Sequence, residues 1–275
     1  MKMSVLLYGA AGSGKTVSAL SYLKNPKYSI RVLALDTNSL IGIEDAIKIH
    51  NVTLKAGQLI VATTKQKKAV FSDTVVSKGD SSDFIAINSQ LNNFTGIDYF
   101  TKENVSCGSI CDFDENTVFI LDSLSTWQDT IRSHATKSLL SQQKNPENGV
   151  NGMSLIGEMQ NLILSLSEMI QKNINCKFIL LAHEAVNSAE AVEDSKGTLK
   201  NITPNFPGVK NTSQFLGKFS VVRYCKYLPM SGKYVWVGSD IKDTIATVPR
   251  GIPRDKQLKF NELVPDFTST LYSFE

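Results

Sequence analysis

Gly9-Ala10-Ala11-Gly12-Ser13-Gly14-Lys15-Thr16 decides the reading of this chain: it fits G-x-x-x-x-G-K-[ST], follows the apolar run Ser4 to Tyr8, and precedes helically spaced residues from Val17 to Leu23. Strand, glycine-rich turn and helix in that order let backbone N–H groups converge on phosphate oxygens, and the helix adds its positive end. In this reading Gly9, Ala10, Ala11, Gly12, Ser13, Gly14, Lys15, Thr16 and Val17 cradle a nucleotide. The three glycines free the turn, Lys15 reaches the β and γ phosphates, and the Thr16 hydroxyl ligates Mg²⁺. ATP and Mg²⁺ are the expected cofactors.

Working outward, three more apolar runs end in a polar residue: Ile30 to Leu35 before Asp36, Val118 to Leu121 before Asp122, and Lys177 to Ala182 before His183. Runs that are apolar on both faces are the pattern of central parallel strands covered by helices, and such sheets carry their chemistry at the strands' carboxyl ends. Asp122 is therefore the second expected metal-holding residue, beside Thr16. Leu155, Met159, Leu162, Leu166 and Met169 or Ile170 share one face of a helix over Ser154 to Gln171. Ser220 to Tyr227 and Lys233 to Val237 read as strands paired around a turn at Pro229 to Gly232. The expected fold class is α/β, with a mostly parallel central sheet flanked by helices and an antiparallel C-terminal β-extension. One domain spans 1–275: a core over about 1–185, an insertion of undecided form at 50–116, and a loop and β-region at 186–275.

Composition narrows the classes. The 275 residues are 42% hydrophobic and 20% charged, enough for one well-buried core, and the net charge of +3 is too mild to announce a nucleic-acid partner by itself. Four scattered cysteines lack the paired spacing of a zinc site and read as reduced thiols. No run reaches the roughly 18 apolar residues of a membrane span. A cytoplasmic protein without membrane contact is expected.

The string Phe119-Ile-Leu-Asp122-Ser123-Leu-Ser-Thr-Trp127 resembles the Asp-Ser Walker B segment of RecA-type recombinases, and more closely that of short phage RecA-like ATPases linked to single-strand annealing and recombination. The strand ends Leu35-Asp36-Thr37 and Leu181-Ala182-His183-Glu184 are similar too, as is a C-terminal β-region after a polar loop, so the resemblance runs from Lys2 to about Arg254. It implies a RecA-like P-loop NTPase fold, an ATPase acting on single-stranded DNA, a homo-oligomeric ring or filament, and a phage single-strand-binding protein as a further partner in the host cytoplasm. His183 falls where such proteins place a polar sensor of the γ-phosphate. The loops after Asp122 and His183 would face DNA, with Lys137, Lys144, Lys196, Lys200 and Lys210 for phosphates and Phe206 and Phe215 for base stacking.

One departure bears on catalysis. The resemblance places a water-activating glutamate where this chain has Asn38, and an amide cannot take the proton as a carboxylate does. Either Glu44, Asp45 or Glu184 supplies the acid, or hydrolysis is slow, which is the reading we favour, with Asn38 orienting the water. Arg250 and Arg254 are the expected trans-acting residues of a neighbouring subunit, with Lys218, Arg223 and Lys226 as second choices. A helicase or DNA-packaging motor and a P-loop small-molecule kinase remain as other readings, although the kinase's Arg-rich lid has no counterpart here.

Overall fold

The computed structural model describes residues 3–35, 37–64, 82–142, 149–186, 202–207, 212–228 and 233–237. The strands are β1 (Ser4–Gly9), β2 (Ser29–Ala34), β3 (Leu59–Thr63), β4 (Phe94–Asp98), β5 (Asn104–Gly108), β6 (Thr117–Asp122), β7 (Lys177–Val186), β8 (Ile202–Pro204), β9 (Val221–Leu228) and β10 (Lys233–Val237). They join in the order β10-β9-β1-β7-β6-β2-β3-β4-β5, and β8 pairs with β7. The six strands from β9 to β3 run parallel, whereas β10, β4, β5 and β8 are antiparallel to their neighbours. The fold is thus α/β with a mostly parallel mixed sheet, in which β7 separates β1 from β6.

Within 50–116, β3 is a member of the parallel sheet through β2, and the β4–β5 hairpin extends it. No sustained period announced these elements because β5 is a half-exposed edge strand and β4 is interrupted by Gly96.

Six helices are described: α1 (Lys15–Ala19), α2 (Thr37–Ile49), α3 (Ser82–Asn92), α4 (Leu124–Gln142), α5 (Gly152–Asn173) and α6 (Thr212–Leu216). Strand alternation divides the core between the two sheet faces. Val5, Leu7, Val32, Ile120, Ile179 and Leu181 pack toward α1 and α2 with Leu20, Ile43 and Ala46. Leu6, Tyr8, Phe119, Leu121, Phe178 and Leu180 pack toward α3, α4 and α5 with Ile87, Trp127 and Ile163. At the centre of the second layer, Phe119 stacks on Phe178 at 5.9 Å and meets Phe94 edge-on at 6.1 Å.

Three details differ from the sequence reading. The helix expected from Val17 to Leu23 tightens after Ala19 into a 3₁₀ turn, Leu20–Lys24. At this junction the Val17 carbonyl accepts a hydrogen bond from His50 Nε2 at 2.7 Å. The buried stripe of α5 centres on Met159, Ile163, Ser167 and Ile170, leaving Leu155, Leu162 and Leu166 partly buried and Met169 exposed. Two polar residues in the stripe, Gln160 and Ser167, hid its true centre. Finally, β7 does not end at His183 but continues to Val186, because β8 returns to pair with Glu184, Ala185 and Val186.

Asp98 organises the β4–β5 turn. Burial favours the neutral acid, but N–H groups of Gly57 (2.6 Å), Phe100 (2.8 Å) and Thr101 (3.3 Å) outweigh it and hold the carboxyl below its ordinary range. Its folded pKa is depressed, so the stability it contributes is complete above the unfolded carboxylate range and is lost as pH falls through the folded value. Asp98→Asn should cost about 1–3 kcal/mol near neutral pH. In urea unfolding measured at descending pH, the gap to the parent protein should narrow.

Candidate functional site

The site begins where β1 ends and the chain turns toward the α1/α2 face. Gly12 and Gly14 hold φ values of 73° and 84°, left-handed conformations that side chains resist. A Cβ on Gly9 would run into the Cys225 carbonyl and lie 2.8 Å from Ser13 Oγ. Under this turn Lys15, only 7% exposed, donates from Nζ to the Gly9 carbonyl at 2.9 Å, the Ala10 carbonyl at 2.7 Å and Ser13 Oγ at 3.4 Å. The ammonium is thus held against the loop that reads as a phosphate cradle.

Asp122 arrives from β6, two strands away. Thr16 Oγ1 donates to Asp122 Oδ2 at 3.0 Å, which brings a hydroxyl and a carboxylate together at the tip of the sheet. These hard oxygen donors fit Mg²⁺ better than a softer ion. The Asp122–Ser123 peptide is cis.

The opposite wall is α2. Asn38, Ser39, Ile41, Gly42 and Asp45 line a cleft of about 380 Å³ together with Ala11, Gly12, Gly14, Lys15, Thr16, Val17, Asp122 and His183. Sequence reasoning named Asn38 and Asp45 but missed Ser39, Ile41 and Gly42. Ser39, 3% exposed, donates from Oγ to the Asp122 carbonyl at 3.4 Å, and Ile41 is 60% exposed on the rim. A glycine inside a 13-residue helix was the available signal, since it costs about 1 kcal/mol relative to alanine.

Strand parity separates His183 from Glu184. His183 shares the α1/α2 face with Leu181 and reaches the cleft, whereas Glu184 shares the opposite face with Ala182 and meets Tyr224. Burial pushes the Tyr224 hydroxyl up, and the adjoining Glu184 carboxylate adds to the effect. Of the three acids considered as bases, Asp45 lines the cleft; Glu44 acts on Tyr99, and Glu184 lies behind the sheet.

Two aromatic assignments are corrected. Phe206 and Phe215 are 8% and 0% exposed and stack on each other with centroids 4.6 Å apart, so they are core and offer no face to a base. Their apolar area is better removed from water against Phe219 and α5 than displayed in a loop. Arg223 is likewise buried, at 4% exposure, in the middle of β9, and Lys218 pairs with Glu168 at 3.3 Å. Lys137 is exposed on α4 and Lys226 on β9, while Lys144, Lys196, Lys200, Lys210, Arg250 and Arg254 lie outside the described residues, as does Asp36.

The segment after the polar loop is fastened behind the cleft. Asn205 N–H donates to the His183 carbonyl at 2.7 Å, Gln128 Nε2 donates to the Asn205 carbonyl, and Gln160 Nε2 donates to the Pro207 carbonyl. The described residues on either side, Glu184 to Val186 and Ile202 to Pro204, pair as antiparallel strands next to His183.

No family model matches the chain, and no curated protein matches it. Among solved structures it is similar to the assembled ATPase EscN from the type III secretion system of enteropathogenic E. coli, at 11% identity and a TM-score of 0.38 over 82% of this chain and 43% of that one. The chain thus spans less than half the length of that ATPase. Among the described residues no helix is long and apolar enough to cross a membrane.

Gln128→Ala removes the amide that holds the Asn205 carbonyl. Hydrogen exchange should accelerate at the Ile202, Thr203 and Asn205 amides, while the amides of β1 and β6, buried at the sheet centre, keep their protection.

Proposed function

We propose that this chain binds ATP with Mg²⁺ in the cleft between the glycine turn and α2, hydrolyses it slowly, and uses the nucleotide to control binding to single-stranded DNA. The observation that carries the nucleotide reading is the Thr16–Asp122 hydrogen bond at 3.0 Å beside a glycine turn that already gathers Lys15. In this reading Lys15 exchanges its carbonyl partners for phosphate oxygens, and the Gly12 to Thr16 amides take the remainder of the phosphate charge. Bound Mg²⁺ would neutralise phosphate charge, with Thr16 and Asp122 holding it. Asn38, exposed on the cleft wall, orients water but cannot accept its proton, which keeps hydrolysis slow; Asp45 also lines the cleft.

The DNA part rests on the resemblance of the Phe119 to Trp127 string and on the pairing of β7 with β8 beside His183. Ligand contacts at His183 would be felt at Asn205 through one backbone hydrogen bond, and from there at the loop's return strand. With Phe206 and Phe215 in the core, phosphate contacts by the loop lysines would carry that binding. Arg250 and Arg254, acting from a neighbouring copy in a ring or filament, remain the proposed trans-acting residues.

Lys15→Ala should weaken ATP binding by at least about 100-fold in a calorimetric titration, because the loss combines a charge with several hydrogen bonds. It should also remove the nucleotide dependence of single-stranded DNA binding; DNA binding that keeps this dependence would count against the proposal. Asn38→Glu should raise steady-state hydrolysis by about 10² to 10⁴, the range of a positioned general base. An unchanged rate would move the base to Asp45. Fast hydrolysis by the parent protein, stimulated by DNA, would favour a translocating motor.

A further inference from the structure

Gly42 stands at mid-helix in α2, where nearly any other residue would make the helix more stable. Its surroundings supply a reason. A Cβ at this position would lie 3.1 Å from Thr16 Cβ and 3.2 Å from both Thr16 Cγ2 and Thr16 Oγ1. We infer that Gly42 is a positioning residue for the Thr16 hydroxyl: its bare backbone lets α2 lie against α1 while leaving Thr16 in the one side-chain orientation that directs Oγ1 to Asp122. The inference rests on the cleft being a Mg–nucleotide site and assigns a source of its metal geometry.

The helix cannot simply move away from an added methyl. Ile43 and Ala46, both 0% exposed, anchor α2 in the core, and Ser39 ties its first turn to the Asp122 carbonyl at 3.4 Å. Close-packed surroundings resist displacement, so the strain passes to the softer neighbour, the Thr16 side chain. Because Thr16 Cβ is itself the nearest atom, relief comes from a shift of the whole Thr16 side chain away from α2, which carries Oγ1 off the 3.0 Å contact with Asp122. The three atoms nearest the added methyl all belong to Thr16, while Lys15 is held by the Gly9 and Ala10 carbonyls. The expected defect is therefore confined to the divalent cation's contribution to nucleotide binding.

The test is the affinity of the full chain for a fluorescent ATP analogue, with Mg²⁺ and with EDTA, in the parent protein, Gly42→Ala, and Gly42→Ala combined with Thr16→Ser. In Gly42→Ala the gain conferred by Mg²⁺ should fall by about 10–100-fold, the usual effect of disturbing a group that orients a metal ligand. The affinity in EDTA should stay near the parent value, and the thermal midpoint should hold or rise. Thr16→Ser keeps the hydroxyl and deletes the crowded Cγ2, so the double variant should regain most of the Mg²⁺ gain. An undiminished gain in Gly42→Ala overturns the inference. So does an equal loss with and without Mg²⁺, which would mean the methyl obstructs the nucleotide directly, and so does failure of Gly42→Ala to fold, which would place its cost in the core. A parent protein that binds the analogue under neither condition would instead overturn the nucleotide reading.

Discussion

One hydrogen bond joins parts of the chain 106 residues apart: Thr16 Oγ1 to Asp122 Oδ2. Thr16 opens α1 just beyond β1 and Asp122 ends β6, and the two strands are not neighbours, since β7 lies between them. Spanning that gap requires β1 to end in a turn tight enough to bring the start of α1 across the tip of β7. Gly12 and Gly14 make the turn sterically accessible, and the close approach of Gly9 to the Cys225 carbonyl locks its base against β9. The arrangement of the cleft follows from this constraint, because α2 can complete a wall only where Thr16 and Asp122 already meet.

The sheet acts as a partition with different chemistry on each side. Alternation along β7 sends His183 to the cleft and Glu184 to the opposite layer, where it meets Tyr224. The same alternation puts Asp122 with the cleft and Phe119 and Leu121 with the aromatic layer beneath α3 and α4. Two residues adjacent in sequence therefore face the cleft and a buried tyrosine respectively. The hairpin formed by β7 and β8 crosses this partition through the backbone, as the His183 carbonyl holds Asn205, whose own carbonyl is held by Gln128 on α4.

The packing of α2 shows how a local conflict marks a tertiary requirement. Glycine weakens the helix that contains it, and a contact outside that helix accounts for its presence. Phe206 and Phe215 illustrate the converse: aromatic residues beside a polar loop look available for stacking, but the area they bury against each other and Phe219 holds them inside.

The sequence alone determined what depends on short range. The glycine turn, the four apolar strands ending near polar residues, and the paired strands at the C-terminal side were all readable, because φ preferences and two-sided apolarity act within a few residues. The tertiary structure alone decided what depends on register and approach. It gave the possible strand at Leu59 to Ala62 its place beside β2, extended β7 past His183, moved the buried face of α5 onto Ile163, and assigned Glu184 to the far side of the sheet. It also brought Ser39 and Gly42 to Thr16 and Asp122, contacts between residues too distant in the chain for any periodicity to record. Such pairings arise from how α2 docks, and docking is set by the summed packing of a whole layer, which no short stretch of residues encodes.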